Sequence, residues 1–187
     1  MELNPKIGRA VQAGFISPIQ PRYASINSKK TRMIPFFITL ILGICYSLTI
    51  APGLTWAHFS ADGGDLISAA ATGGVPHPSG YPLYFILARG FQLLPVGNLA
   101  FRTNLLSAVC TILTALILYI FLLHQLRGRP SAQSASFLAA LAYGLAPFVW
   151  GQALVTEVYA LHGLLLMLCI YVPSLENPRI SEWMRGF

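Results

Sequence analysis

Apolar residues fall in four long runs separated by short polar punctuation. The first covers residues 33–51, carries no charge and stops at Pro52-Gly53. The second, 105–123, is also uncharged, and Arg127, Arg129, Pro130 and Ser131 follow it as a loop. The third covers 134–150, where Pro147 is expected to kink or end the last turn. The fourth covers 157–172 and is closed by Pro173. A membrane crossing needs about 20 apolar residues. The pattern therefore predicts an all-α, polytopic transmembrane bundle of about four spans.

Two shorter elements are expected inside the long connection 53–104. Leu66 to Thr72 is alanine-rich and reads as a two-turn helix, with Asp65 placed as its N-cap and Gly73 as its stop. Tyr81 to Leu94 is apolar but too short to span, and reads as an interfacial helix on which Arg89 and Gln92, three apart, share a face. Residues 1–32 are polar and aperiodic, a flexible tail. Residues 173–187 form a polar C-terminal tail.

Charge orients this arrangement. Six of the twelve basic residues precede the first run (Lys6, Arg9, Arg22, Lys29, Lys30 and Arg32), which places the N-terminus in the cytoplasm. Arg127 and Arg129, then Arg179 and Arg185, mark the later cytoplasmic connections. Three of the six acidic residues, Asp62, Asp65 and Glu157, then face the external compartment together. The first run is expected to be an uncleaved span, since the apolar region of a signal peptide is about 7–15 residues, shorter than this run. Only 10% of the chain is charged and 55% is hydrophobic. A soluble domain carries about 25% charged residues, so lipid is expected to cover much of the surface. The formal charge of +6 does not mark a nucleic-acid binder, since no basic face with interleaved aromatics follows the tail. Cys45, Cys110 and Cys169 lie in apolar runs without metal-ligand spacing.

The external loops hold the candidate chemistry. In Asp62-Gly63-Gly64-Asp65 the two glycines let the carboxylates converge, as a cation site or as an acid and a base. Two solvated turn aspartates, one of them a helix cap, is the plain alternative. His77-Pro78-Ser79-Gly80-Tyr81-Pro82 is a turn stiffened by two prolines, suited to holding His77 and Tyr81. His77 can bind a phosphate, move a proton, or simply be solvated. Glu157 opens the fourth run, where it either favours the helix dipole or serves a site. His162, five residues on, lies about 140° around an ideal helix and points elsewhere. The chain has no phosphate-binding glycine loop, nucleophile elbow or zinc spacing.

Four blocks in order carry a resemblance: Asp62-Gly63-Gly64-Asp65-Leu66; His77-Pro78-Ser79-Gly80-Tyr81-Pro82-Leu83-Tyr84; Arg102-Thr103-Asn104-Leu105-Leu106-Ser107-Ala108; and Glu157-Val158-Tyr159-Ala160-Leu161-His162, preceded by Trp150. Across about residues 50–172 the chain resembles the protein O-mannosyltransferase-like family, glycosyltransferase family 117 of the GT-C superfamily. Two positions depart from it: the family usually has glutamate at Asp65 and proline at Ser79.

The resemblance implies a GT-C-like N-terminal part and transfer of a sugar from a polyprenyl-phosphate donor to a protein or glycan acceptor on the external or lumenal face. It makes Asp62 the general base, with Asp65 orienting it or helping to hold a divalent cation. His77, Tyr81, Arg102, Glu157 and His162 become candidates for substrate binding. Membrane lipid is the surrounding partner, and an inner or plasma membrane is favoured over the endoplasmic reticulum. The family has many more spans, so a truncated product, inactive alone, is expected. A non-catalytic membrane subunit or scaffold is the second reading. A transporter ranks third, because the first two runs lack charge.

Overall fold

A computed structural model describes residues 28–176. Those residues are helical and contain no strand: α1 (Ser28–Thr49), a 3-10 turn (Ala57–Phe59), α2 (Gly63–Thr72), α3 (Pro82–Gln92), α4 (Leu99–Gln125), α5 (Ala132–Leu145), α6 (Pro147–Ala153) and α7 (Tyr159–Glu176). Most of the polar tail, and Arg179 and Arg185, lie outside the described residues.

α4 is the axis of the molecule, touching α1, α2, α3, α5, α6 and α7. One side of it packs Ala108, Ala115 and Tyr119 against Ile38, Leu42 and Tyr46 of α1 and Ala140 of α5. The other packs Leu106 and Cys110 against Leu66 and Ala70 of α2, Tyr84 and Ala88 of α3, and Ala160 and Leu161 of α7. These alternating small and large residues bring the short loop helices and the long helices into one core.

Among the described residues α4 is the one single helix long and apolar enough to cross a membrane. It rises about 40 Å at 1.5 Å per residue. α5 and α6 meet the same criterion only as a pair bent by 64° at the break before Pro147, the residue expected to kink the run.

Several boundaries differ from the sequence expectation. α4 begins at Leu99, six residues before the apolar run, with Asn98 as N-cap accepting the Phe101 N–H at 2.9 Å. α7 begins after Glu157 and continues through Pro173 to Glu176. A proline removes one backbone donor, and Ser174 Oγ bonds the Tyr171 carbonyl at 2.6 Å in that last turn. α2 starts at Gly63, so Asp65 sits in its first turn and is not its cap; the Asp62 carbonyl accepts the Leu66 N–H at 3.0 Å. Gly73 does end the helix, at φ 77°, a left-handed conformation that glycine adopts freely. On α3, Arg89 is exposed and Gln92 buried, because the Gln92 amide bonds the Ile67 carbonyl (3.0 Å) and Thr103 Oγ1 (3.1 Å).

Candidate active site

The acidic turn is joined at every second residue to the end of α6 and the segment that follows it. The His58 carbonyl accepts from Gln152 Nε2 at 2.7 Å. Ser60 Oγ donates to the Thr156 carbonyl at 3.3 Å. The Asp62 N–H donates to Glu157 Oε1 at 3.2 Å. Beneath them Thr156 Oγ1 donates to Asn104 Oδ1 at 2.6 Å, and Asn104 Nδ2 reaches the carbonyls of Ala51 (2.9 Å) and Gly53 (3.3 Å). Ser60, Asn104, Thr156 and Glu157 are all buried. Buried polar groups need partners, and these four find theirs in the bonds just named.

The open side of this base carries the titratable groups. α2 places Asp65 one turn in, and the turn after Gly73 folds back to bring His77 over it. Asp65 Oδ2 accepts both the His77 backbone N–H (2.9 Å) and the proton on Nδ1 (2.8 Å). His77 Nε2 then faces Asp62 Oδ2 at 3.5 Å. The side chains of Asp62, Asp65 and His77 are 45%, 48% and 38% exposed, open to solvent. Tyr81 stands edge-on to the imidazole, centroids 5.6 Å apart, on a left-handed backbone (φ 42°). That conformation costs a non-glycine residue about 1–3 kcal/mol and concentrates at functional sites.

The electrostatics follow from the contacts. The His77 N–H and ring hold the Asp65 carboxyl below its usual range. The hydrogen bond to Asp65, with the charges of Asp62, Asp65 and Glu157, raises His77 against the effect of desolvation. With Nδ1–H committed to Asp65, a bare Nε2 would oppose the Asp62 lone pairs, so the geometry favours the imidazolium. Burial, with a smaller push from Asp62, raises Glu157, while the N–H groups of Asp62 and Val158 pull the other way.

The structure thus gathers Asp62, Asp65, His77, Tyr81 and Glu157. It does not bring in the other two candidates. Arg102 spends its guanidinium on the carbonyls of Val96 (2.6 Å), Gln92 (2.8 Å) and Gly97 (3.0 Å). His162 is exposed on α7, outside the hydrogen-bonded cluster. Sequence reasoning assigned no role to Ser60, Asn104 or Thr156; the one available signal was a set of small polar residues bordering apolar runs. The imidazole stands between the Asp62 and Asp65 oxygens, and no three His, Cys, Asp or Glu side chains among the described residues gather around a common point.

The described residues are all-helical and built around one long apolar helix, with an acid–imidazole–acid cluster on a braced loop. The chain belongs to the family described as the protein O-mannosyl-transferase TMEM260 N-terminal domain, whose model matches residues 62–177, more than half of it. It is 35% identical over 104 residues to the protein O-mannosyl-transferase TMEM260 of Mus musculus, which covers 55% of this chain and 14% of the relative. It is 24% identical over 158 residues to protein O-mannosyl-transferase tmem260 of Dictyostelium discoideum, covering 81% of this chain and 18% of that one. The chain therefore spans less than a fifth of the length of these relatives. No solved structure matches.

Proposed function

We propose that these residues form the acidic-loop part of a membrane glycosyltransferase that moves a sugar from a polyprenyl-phosphate donor to an acceptor hydroxyl on the external or lumenal face. The relatives' names favour a mannosyl group and a protein acceptor. The observation that carries the reading is the half-exposed Asp62 carboxylate beside an imidazole that Asp65 anchors at two points. Asp62 takes the proton of the acceptor hydroxyl as its oxygen bonds to the anomeric carbon. The bond from that carbon to the donor's phosphate oxygen breaks, and the phosphate leaves with the electron pair. Asp65 fixes His77, whose positive charge lies where a departing phosphate gathers negative charge. Tyr81 limits how the ring can turn.

In this reading α1, α4, the bent pair α5–α6 and α7 cross the membrane, and α2 and α3 lie at its external surface. Phe36 and Leu48 of α1, Leu138 of α5 and Leu166 of α7 are exposed apolar side chains, suited to lipid. The N-terminus lies in the cytoplasm, and the membrane is a plasma or inner membrane. The test is sugar transfer from polyprenyl-phosphate mannose in membranes carrying the longest reading frame that contains these residues. Asp62→Asn should insert normally and lose at least about 10²-fold in rate. A folded Asp62→Asn with parental activity sinks the assignment.

A further inference from the structure

We infer that Glu157 is a positioning residue, a buried brace that fixes the backbone of Asp62 and never meets the acceptor. The inference rests on the reading of Asp62 as the base, and its structural half can be tested without it.

Access argues first. Glu157 is 2% exposed while the Asp62 side chain is 45% exposed, so one carboxylate is enclosed and the other open. Glu157, the enclosed one, faces the protein.

Geometry argues next. Glu157 Oε1 accepts the Asp62 N–H at 3.2 Å across 95 residues of sequence. That bond is the last of three, after His58 with Gln152 and Ser60 with Thr156, that hold the turn 58–62 to the segment 152–157. Asp62 is also the residue before the first turn of α2, and its N–H is not used within that helix. Without Glu157 that amide would need another acceptor in a place already closed by Ser60 and Thr156. An added Cβ on Gly63, the next residue, would lie 2.7 Å from Ser60 Oγ and 3.2 Å from the Thr156 carbonyl oxygen.

Chemistry argues last. An acceptor for one amide needs no charge, and a neutral amide oxygen would serve. A buried carboxylate is retained at a cost, and it is oriented by the Val158 N–H as well as by Asp62. The titratable groups facing it are Asp62, His77 and, from α3, the buried Tyr84. Glu157 therefore does two things that can be separated: it holds the Asp62 amide, and it adds negative charge below the Asp62–His77 contact.

The experiment uses the full chain in lipid nanodiscs, with Glu157→Gln and Glu157→Ala beside the parent. Amide hydrogen exchange is read at Asp62 by nuclear magnetic resonance, with Thr111 of α4 as an internal control. Glu157→Ala should lower the protection of the Asp62 amide at least about tenfold, since bonds to charged acceptors are the strong ones. Glu157→Gln keeps an acceptor oxygen and should recover most of it. Thr111 should not change in either. In the transfer assay Glu157→Ala should lower the maximal rate with little change in KM for the acceptor. Glu157→Gln should recover the rate but move the pH profile, because the charge is gone. Unchanged Asp62 protection in Glu157→Ala overturns the brace, as does Glu157→Gln behaving like Glu157→Ala. If alanine prevents insertion, Glu157→Asp, one methylene short, must show the same loss of protection or the inference falls. A parent that transfers no sugar but shows the Asp62 effect supports the brace and removes only the transfer reading.

Discussion

Two adjacent glycines should respond to alanine with opposite signs. A Cβ on Gly63 would stand 2.7 Å from Ser60 Oγ and 3.2 Å from the Thr156 carbonyl oxygen, whereas a Cβ on Gly64 would meet nothing nearer than Leu54 carbon at 3.8 Å. The serine can turn away, but its hydrogen bond to Thr156 goes with it, a loss of about 0.5–1.5 kcal/mol. The carbonyl is main chain and cannot move without the segment 152–157, and forced contacts of this kind cost about 1–3 kcal/mol. Against that stands a gain of about 0.4–1 kcal/mol from replacing glycine with alanine at a compatible helical site. Gly63→Ala therefore loses about 2 kcal/mol net, whereas Gly64→Ala keeps the gain alone. For a protein of this size 1 kcal/mol moves the midpoint by about 2–4 °C, so Gly63→Ala should fall by about 4–8 °C and Gly64→Ala rise by about 1–4 °C. Thermal unfolding in one detergent, followed by circular dichroism, measures both. Shifts of the same sign would refute the close approach of the acidic turn to Thr156.

The remaining predictions concern His77 and Arg102. In Asp65→Asn the ring loses its anchoring carboxylate, so the His77 titration, followed through its ring proton resonances, should move down towards the ordinary value of about 6.5. Because the folded value is raised, the stability drawn from this contact is complete below the unfolded value and fades as pH rises through the folded one. The parent should lose more stability than Asp65→Asn over that window, and equal losses would deny the coupling. Arg102→Ala should lower stability by at least about 1.5 kcal/mol, since three carbonyls lose a charged donor. Arg102→Lys should recover little, because an ammonium cannot reproduce the fork; full recovery in thermal unfolding would contradict the geometry.

What the sequence made legible was local. The break at Pro147, the stop at Gly73 and the short helix after the His77 turn follow from proline, glycine and run length, and all three appear. Expectation failed where polar residues are satisfied by distant partners. The uncharged apolar run begins at about residue 105, whereas α4 begins at Leu99 and takes in Arg102, Thr103 and Asn104. Each is nonetheless accommodated within the helix: Arg102 on the carbonyls before α4, Thr103 on Leu99 and Gln92, Asn104 on the loop after α1 and on Thr156. Hydropathy counts such groups as polar without registering that their partners are supplied.

The same blindness explains the site. Asp65 looked like a cap because aspartates before alanine-rich helices usually are caps, but His77, twelve residues on, claims its carboxylate. Spacing alone pairs Asp62 with Asp65, whereas in the structure each carboxylate faces a different nitrogen of the His77 imidazole. Glu157 looked like a third member of an external acidic surface, yet it lies under the other two. The turn after Gly73 decides the first two outcomes, and the bonds from residues 152, 156 and 157 decide the third. A spacing of residues names the candidate groups, while the long-range hydrogen bonds decide which of them faces solvent. Here they leave Asp62 as the one carboxylate of the three that is open to solvent and not committed to a bond shorter than 3 Å, which is the observation behind proposing it as the base.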